Sequence, residues 1–156
     1  MLKVGDKAPA FTLFNTDKQP VSLTDLHNGK NVVLLFFPLA FTSVCTTELC
    51  TMRDNMEKYN SLNANVVGIS VDSVFTLAKF KEQERLNFTL LSDFNKEVAT
   101  AYDAIYGDFV LGMKGVAKRS AFVVDKKGII RYVEVLESAG DLPNFAAIQQ
   151  TLESLQ

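Results

Sequence analysis

The sequence predicts an α/β fold in which a mixed central sheet is flanked by helices and extended by an N-terminal β-hairpin. Three observations support this prediction. Apolar runs of strand length alternate with amphipathic segments of helix length over the first two thirds of the chain. The turn Asp125-Lys126-Lys127-Gly128 then joins two further apolar runs, as in an antiparallel hairpin. A last helical segment follows, so parallel crossovers and one antiparallel hairpin are expected in the same sheet.

The first elements predicted are a short hairpin, a buried strand and a long helix. The hairpin pairs residues 11–14 with residues 21–23 across a polar turn. Residues 31–37 form an apolar run, which is typical of a central strand that is buried on both faces. Residues 43–62 place their apolar side chains on one helical stripe, and we expect them to form one helix.

The middle of the chain repeats this alternation and then loses it. A second buried strand is predicted at residues 65–71, a second helix at 73–86, a short strand at 88–91 and a short helix at 95–102. Residues 105–118 mix apolar side chains with three glycines and show no clear period. We expect a loop there. Its apolar side chains either form a surface for a substrate or partner, or they anchor the loop to the core.

Two strands and a helix are predicted to close the fold. The strands, at residues 120–124 and 129–133, flank the Asp-x-x-Gly turn. The helix is predicted at residues 142–155, with Pro143 at a favourable early position. This order, a strand-helix-strand unit followed later by a strand-strand-helix unit, resembles the thioredoxin fold.

Length and composition limit the class of protein. The chain has 156 residues, of which 47% are hydrophobic, and we expect one domain spanning residues 1–156. A net charge of −2 gives no basis for a nucleic-acid or anionic-membrane partner. The longest apolar stretch, residues 32–37, is far shorter than the ~20 residues of a membrane span. The first residues lack the apolar core of a signal peptide, so we expect a cytoplasmic protein.

The chain has only two cysteines, Cys45 and Cys50, and they are the strongest candidates for chemistry. Cys45 falls where a strand gives way to a helix, so exposed backbone N–H groups and the helix dipole favour its thiolate form. In a reducing compartment, two such cysteines are more consistent with catalysis or metal binding than with a permanent disulfide. The single histidine, His27, lies in a polar turn, which makes a zinc site or a Cys–His pair poorly supported.

A cysteine that attacks a peroxide needs three further groups around it. A hydroxyl must orient the peroxide, and Thr42 has suitable spacing from Cys45. Water must be kept away from the thiolate, and Pro38 can shield it because proline has no backbone N–H. A fixed cation must stabilise the thiolate and the leaving oxygen, a task for which arginine suits better than lysine.

These residues carry a resemblance to a known family. Pro38-x-x-x-Thr42-x-x-Cys45 resembles the active-site motif of the peroxiredoxins, and residues 4–11 are similar to the usual start of that family. Arg119, just before a strand that ends in the Asp-x-x-Gly turn, matches the position of the family's active-site arginine. The resemblance implies that a hydroperoxide oxidises Cys45, the peroxidatic cysteine, to a sulfenic acid. It also implies that Thr42 and Arg119 activate the peroxide and that Pro38 acts as the shield. We expect no cofactor or metal.

Several site residues have a second interpretation. Glu48 matches a glutamate of some peroxiredoxin subfamilies, but an acid in the first helical turn can simply complement the helix dipole. In the second interpretation, Thr42 caps the helix and has no role in catalysis. Arg53 and Lys118 compete with Arg119 for the role of the active-site cation.

The spacing of Cys50 determines how Cys45 would be recycled. Cys45-x-x-x-x-Cys50 resembles the two-cysteine peroxiredoxins of the PrxQ/BCP type, in which the second cysteine resolves the sulfenic acid. Residues 37–42 look more like the AhpE type, whose basic form has one catalytic cysteine.

The geometry of a helix limits the reaction between Cys45 and Cys50. Positions i and i+5 of a helix are rotated by ~140°, with Cα atoms ~8–9 Å apart. A disulfide needs ~7 Å or less, so resolution by Cys50 requires the first helical turns to unwind. Otherwise Cys50 is a core residue and an external thiol resolves Cys45.

The function that these observations favour is a thiol-dependent peroxidase for hydrogen peroxide and organic hydroperoxides. Thioredoxin or a glutaredoxin-like protein is the expected reductant, and a homodimer is the expected assembly, with residues 105–113 as a candidate interface. A thioredoxin-type oxidoreductase is disfavoured, because its site uses Cys-x-x-Cys. A redox sensor that uses the same cysteines stays an alternative. No cysteine lies near the C-terminus, which argues against disulfides between subunits.

Overall fold

The computed structural model describes residues 1–156, which form seven strands, six α-helices and one short 3₁₀ turn. The strands are β1 Thr12–Asn15, β2 Pro20–Ser22, β3 Asn31–Phe36, β4 Ala64–Ser70, β5 Thr89–Ser92, β6 Ser120–Val124 and β7 Ile130–Val135. The helices are α1 Leu23–His27, α2 Ser43–Asp54, α3 Met56–Ser61, α4 Val74–Glu84, α5 Glu97–Ala101 and α6 Phe145–Ser154. The 3₁₀ turn is Val110–Gly112.

All seven strands belong to one mixed sheet, in the order β2-β1-β5-β4-β3-β6-β7. Strands β3, β4 and β5 run parallel, whereas β6 is antiparallel to both β3 and β7. The N-terminal hairpin joins the sheet through an antiparallel pairing of β1 with β5. The predicted mixed sheet, flanking helices and hairpin extension are therefore confirmed. Because β3, β4 and β5 are parallel, the loops that follow them meet at one edge of the sheet.

The core consists of two apolar layers, one on each face of the sheet. One layer packs side chains of α2, α4 and α6 against the sheet, and the other packs α1 and α5. Strand β3 is buried along its whole length and sends alternate side chains into the two layers. This two-sided burial is the reason that the strand appears in the sequence as an apolar run. No helix combines the length and the apolar character needed to cross a bilayer.

Two predicted helix boundaries are wrong. The helix predicted at residues 43–62 is interrupted at Asn55, whose side-chain amide donates to the carbonyl of Thr51 at 2.8 Å and so competes with the helical backbone. The last helix begins at Phe145, and Pro143 precedes it instead of lying inside it. Asn144 decides this start, because its side chain accepts from the N–H of Ala147 at 3.0 Å and caps the helix.

Residues 105–118 were predicted to form a loop that is either anchored to the core or exposes an apolar surface, and the structure shows both features. Its ends are anchored, because Ile105 and Ala117 form an isolated bridge and Ala117 is buried. Its tip is open to solvent, because Leu111 is 95% exposed and Val110 is 59% exposed. The base of the loop thus belongs to the core, and the tip is an exposed apolar surface.

Candidate active site

Cys45 lies in the first turn of α2, three residues after the N-cap residue Thr42. The loop from Phe37 to Thr42 connects the end of β3 to this helix, and the Cys45 side chain is buried, with 1% of the residue exposed. Both cysteines are free thiols. The thiol therefore occupies the amino-terminal end of a helix at the edge where the central strands end, as the sequence predicts.

Sheet pairing brings Arg119 to Cys45 although 74 residues separate them. Ser120 pairs with Phe36 in the antiparallel β3–β6 ladder, so the residue before Ser120 meets the loop that follows Phe36. The Nη2 atom of Arg119 donates to the Sγ atom of Cys45 at 3.3 Å. Only 1% of Arg119 is exposed, which places a full positive charge beside a buried sulfur.

Three contacts fix the Arg119 guanidinium in orientation. Its Nη1 donates to Oε1 of Glu48 at 2.6 Å, while its Nε and Nη2 donate to the carbonyl of Ala139 at 3.2 and 2.9 Å. Burial by itself lowers the pKa of Arg119, but the Glu48 carboxylate and the Cys45 sulfur outweigh it and raise this pKa. The arginine is thus a permanent cation held in a rigid fork.

Glu48 is fully buried, one helical turn after Cys45. Burial raises the pKa of its carboxyl from 4.5 to about 7, even though Arg119 acts in the opposite direction. Its Oε2 atom has no hydrogen-bond partner. The helix-dipole interpretation is therefore insufficient, because the side chain points into the protein and pairs with the arginine that contacts Cys45.

The raised pKa of Glu48 predicts a distinct pH dependence of stability. Between pH 4.5 and about 7 the folded state holds a proton on Glu48 that the unfolded state has lost, so the free energy of unfolding falls as the pH rises through this window. Glu48→Gln removes the titrating group. We expect the stability of the native chain relative to this variant to decrease from pH 4.5 to 7 in urea titrations. A pH-independent difference would contradict the prediction.

Thr42 begins the helix with its backbone but does not cap it with its side chain. Its carbonyl accepts from the N–H of Thr46 at 2.9 Å, and its Oγ1 donates to the carbonyl of Leu39 at 2.8 Å. Because a hydroxyl donates only once, the lone pairs of Oγ1 stay free to accept another hydrogen bond. Pro38 is buried two residues after the end of β3.

The competing cations are engaged away from Cys45. Arg53 bonds Asp54 at 2.9 Å and the carbonyl of Glu84 at 2.6 Å. Lys118 pairs with Glu137 at 2.9 Å and lies over the ring of Tyr106. His27 pairs through Nδ1 with the carbonyl of Lys126 at 3.1 Å and is half-buried. Among the candidate cations, only Arg119 contacts the Cys45 sulfur.

Cys50 faces a different neighbour from Cys45. Its thiol donates to Oε2 of Glu84 on α4 at 3.8 Å, and the residue is half-buried. Burial and the Glu84 carboxylate raise the pKa of Cys50, while Arg53 opposes this rise. Helix α2 is continuous through both cysteines. They are therefore not in position to form a disulfide in this conformation.

Two features of the site were not predicted from the sequence. Phe41 has a left-handed backbone with φ of 68°, and no glycine or asparagine marks this position. Asp72, which follows β4, accepts through Oδ2 from the N–H of Ala40 at 2.8 Å. The sequence holds no signal for this contact, because a carboxylate-to-backbone pairing across 32 residues depends on the sheet topology.

Two concave surfaces lie near this edge of the sheet. A depression of about 210 Å³ adjoins the start of α2 and the loop before α6. It is lined by Ser43, Val44, Thr47, Gly140 and Leu142. A larger groove of about 550 Å³ is lined by Phe14, Lys18, Phe75 and Phe94 among others, and neither Cys45 nor Arg119 contributes to it. The smaller depression is lined by Val44, the residue before Cys45, but not by Cys45 or Arg119 themselves.

A buried thiol at a helix start, with a fixed guanidinium at 3.3 Å in a thioredoxin-like sheet, defines a thiol peroxidase of the thioredoxin-fold class. Comparison with known proteins gives the family. The model of the AhpC/TSA family matches residues 4–133, and the chain therefore belongs to this family, the peroxiredoxins.

Individual relatives agree with this assignment. A Mycobacterium tuberculosis H37Rv protein with a provisional peroxiredoxin name is 45% identical over 134 residues, covering 83% of this chain and 82% of the relative. A chloroplastic 2-cysteine peroxiredoxin of Chattonella marina var. antiqua is 35% identical over 144 residues, covering 86% of this chain and 71% of the relative. The crystal structure of peroxidoxin BcpB from Mycobacterium tuberculosis superposes with a TM-score of 0.87 at 32% identity, covering 100% of this chain and 99% of that one.

Proposed function

We propose that this peroxiredoxin reduces hydrogen peroxide and organic hydroperoxides through Cys45 as the peroxidatic cysteine, with the whole chain acting as one domain. The contact that carries the proposal is the 3.3 Å approach of the Arg119 guanidinium to the Cys45 sulfur in a buried site. A buried cation beside a thiol favours the thiolate, which is the nucleophilic form.

The chemistry assigns a role to each neighbour of Cys45. The thiolate attacks the terminal peroxide oxygen, the S–O bond forms as the O–O bond breaks, and the leaving oxygen takes a proton to become water or an alcohol. The Thr42 hydroxyl accepts a hydrogen bond from the peroxide, since its own proton is given to Leu39. Arg119 stabilises the negative charge that moves from sulfur to the leaving oxygen. Pro38 offers no N–H to the thiolate and excludes water.

Rapid mixing of the reduced protein with hydrogen peroxide or cumene hydroperoxide tests this proposal directly. We expect Cys45 to be oxidised orders of magnitude faster than a free thiol that is ionised to the same extent. The reason is that Arg119 and Thr42 stabilise the transition state and not only the thiolate. A rate no higher than that of free cysteine with both oxidants would contradict the proposal.

Resolution by Cys50 is the recycling route that we propose. The Cys50 thiol attacks the Cys45 sulfenic acid, a disulfide forms and water leaves, so the step balances without a further reactant. Unwinding of the first turns of α2 must come first, and the contact of Cys50 with Glu84 must break. A thioredoxin or glutaredoxin-like protein would then reduce the disulfide. The alternative is resolution of Cys45 by an external thiol.

Oxidation with one equivalent of hydrogen peroxide separates the two routes. The native chain is expected to yield a Cys45–Cys50 disulfide, whereas Cys50→Ser is expected to stop at a Cys45 sulfenic acid that a dimedone probe traps. Peptide mass spectrometry identifies both products. A lasting sulfenic acid with no disulfide in the native chain would exclude Cys50 as the resolving residue.

Two further properties follow from the same proposal. A homodimer would cover the exposed apolar tip of the loop at Val110 and Leu111. A cytoplasmic location suits a protein whose two cysteines must return to the free thiol state.

A further inference from the structure

We propose that Asp72 is a positioning residue for the peroxidase reaction, because its carboxylate holds the loop between β3 and α2 in the conformation that Cys45 chemistry requires. The inference rests on the proposed function of Cys45. Asp72 does not contact the thiol. It acts through the backbone N–H of Ala40, which its Oδ2 atom accepts at 2.8 Å.

The loop is held in an unfavourable backbone conformation next to the thiol. Phe41 has φ of 68°, in the left-handed region where a Cβ atom crowds the following carbonyl. Its side chain is 46% exposed and contacts the ring of Phe80 edge-on, with the centroids 5.1 Å apart. Such a conformation persists only where the surrounding structure imposes it. Something outside the loop must therefore restrain it.

Asp72 provides that restraint from the sheet. Residues 38–41 form only one hydrogen bond to a residue outside the loop, and it is the bond that the Ala40 N–H donates to Asp72. A carboxylate acceptor makes it stronger than a bond between neutral groups. The next residue after Ala40 is Phe41, and the one after that is the N-cap Thr42. The bond thus acts directly on the strained residue and on the start of α2.

The carboxylate is itself fixed by the ends of two parallel strands. Ser70, the last residue of β4, donates to Asp72 Oδ2 at 2.6 Å and accepts from the Asp72 N–H at 3.2 Å. Ser92, the last residue of β5, donates to the Asp72 carbonyl at 2.6 Å. Asp72 therefore connects the loop that precedes Cys45 to the central sheet.

Loss of the carboxylate would allow Phe41 to return to an ordinary backbone conformation. The Thr42 hydroxyl would move with it, and a displacement of ~1 Å at a reacting centre can cost ~100-fold in rate. General reactivity of the thiol should suffer less, because Arg119 is held by Glu48 and Ala139 and not by this loop.

The experiment compares two reactions of Cys45 in Asp72→Ala and Asp72→Asn. The second-order rate constant with hydrogen peroxide is expected to fall ~10- to 100-fold in Asp72→Ala. Alkylation of Cys45 by iodoacetamide, followed by peptide mass spectrometry, is expected to change by less than about threefold, because it needs no aligned peroxide. Asp72→Asn is expected to recover most of the peroxide rate, since its amide oxygen can accept from Ala40.

The control is Asp17→Ala, which removes an exposed carboxylate in the hairpin turn. If Asp72→Ala does not fold, Asp72→Glu carries the same expectation, because it keeps the charge but moves the oxygens by one methylene. A native peroxide rate in Asp72→Ala, a parallel loss of both reactions, or an Asp72→Asn variant no faster than Asp72→Ala would overturn the inference. Slow peroxide reduction by the native chain would instead overturn the proposed function, and the inference with it.

Discussion

Replacement of Cys45 by serine is expected to abolish peroxide reduction, lowering the second-order rate constant by at least ~1,000-fold. A serine hydroxyl fits the space of the thiol, but it stays protonated beside Arg119 and cannot form a sulfenic acid. The variant should fold as the native chain does, because serine is similar in size to cysteine and fits the buried position. Rapid mixing with hydrogen peroxide, followed by detection of the remaining oxidant, measures the effect.

The location of the oxidised sulfur provides the control for this experiment. In the native chain, the first equivalent of peroxide should appear on Cys45, and Cys50 should be oxidised only afterwards. Rapid peroxide reduction by Cys45→Ser, or first oxidation at Cys50, would show that Cys45 is not the peroxidatic residue. The half-buried Cys50 thiol is paired with Glu84, which favours its protonated form, so neither result is expected.

Replacement of Arg119 by glutamine is expected to slow the peroxide reaction ~100- to 1,000-fold, the usual effect of removing one fixed donor to a developing negative charge. Arg119 is the only guanidinium at the Cys45 sulfur, and its other nitrogens are fixed by Glu48 and Ala139. No neighbouring cation is placed to substitute for it. Stopped-flow measurement of the rate constant with hydrogen peroxide gives the effect.

A double variant separates catalysis from folding in this prediction. Loss of the arginine alone leaves the buried Glu48 carboxyl without its hydrogen-bond donor, which destabilises a folded protein by about 1–3 kcal/mol. Arg119→Gln combined with Glu48→Gln removes both charges, so stability should recover while the peroxide rate stays low. Arg53→Gln, on the same helix but without contact to Cys45, is the matched loss of an arginine and should keep the rate. Recovery of the rate in the double variant would show that Arg119 acts only through stability.

The parts of the site that local patterns predicted lie close together in the chain, whereas the distant Arg119 was predicted only through the resemblance to the family. Pro38, Thr42 and Cys45 occupy one short segment, so the change from an apolar strand to a helix was enough to place the thiol at a helix start. Strand β3 was equally clear, because burial on both faces leaves an apolar run. The two helix boundaries that were wrong depended on Asn55 and Asn144, whose side chains bond the backbone locally.

The sequence by itself determined the alternation of strands and helices, the hairpins and the local setting of Cys45, because these depend on neighbours along the chain. The resemblance named Arg119 as the active-site cation with Arg53 and Lys118 as competitors, and the tertiary structure decided which of the three contacts the thiol. The register of β3 with β6 brings Arg119 to Cys45 and thereby to Glu48. The parallel order of β3, β4 and β5 brings Asp72 to Ala40. Pairings of this kind join residues distant in sequence, and their geometry is set by strand register and burial, which no local pattern encodes.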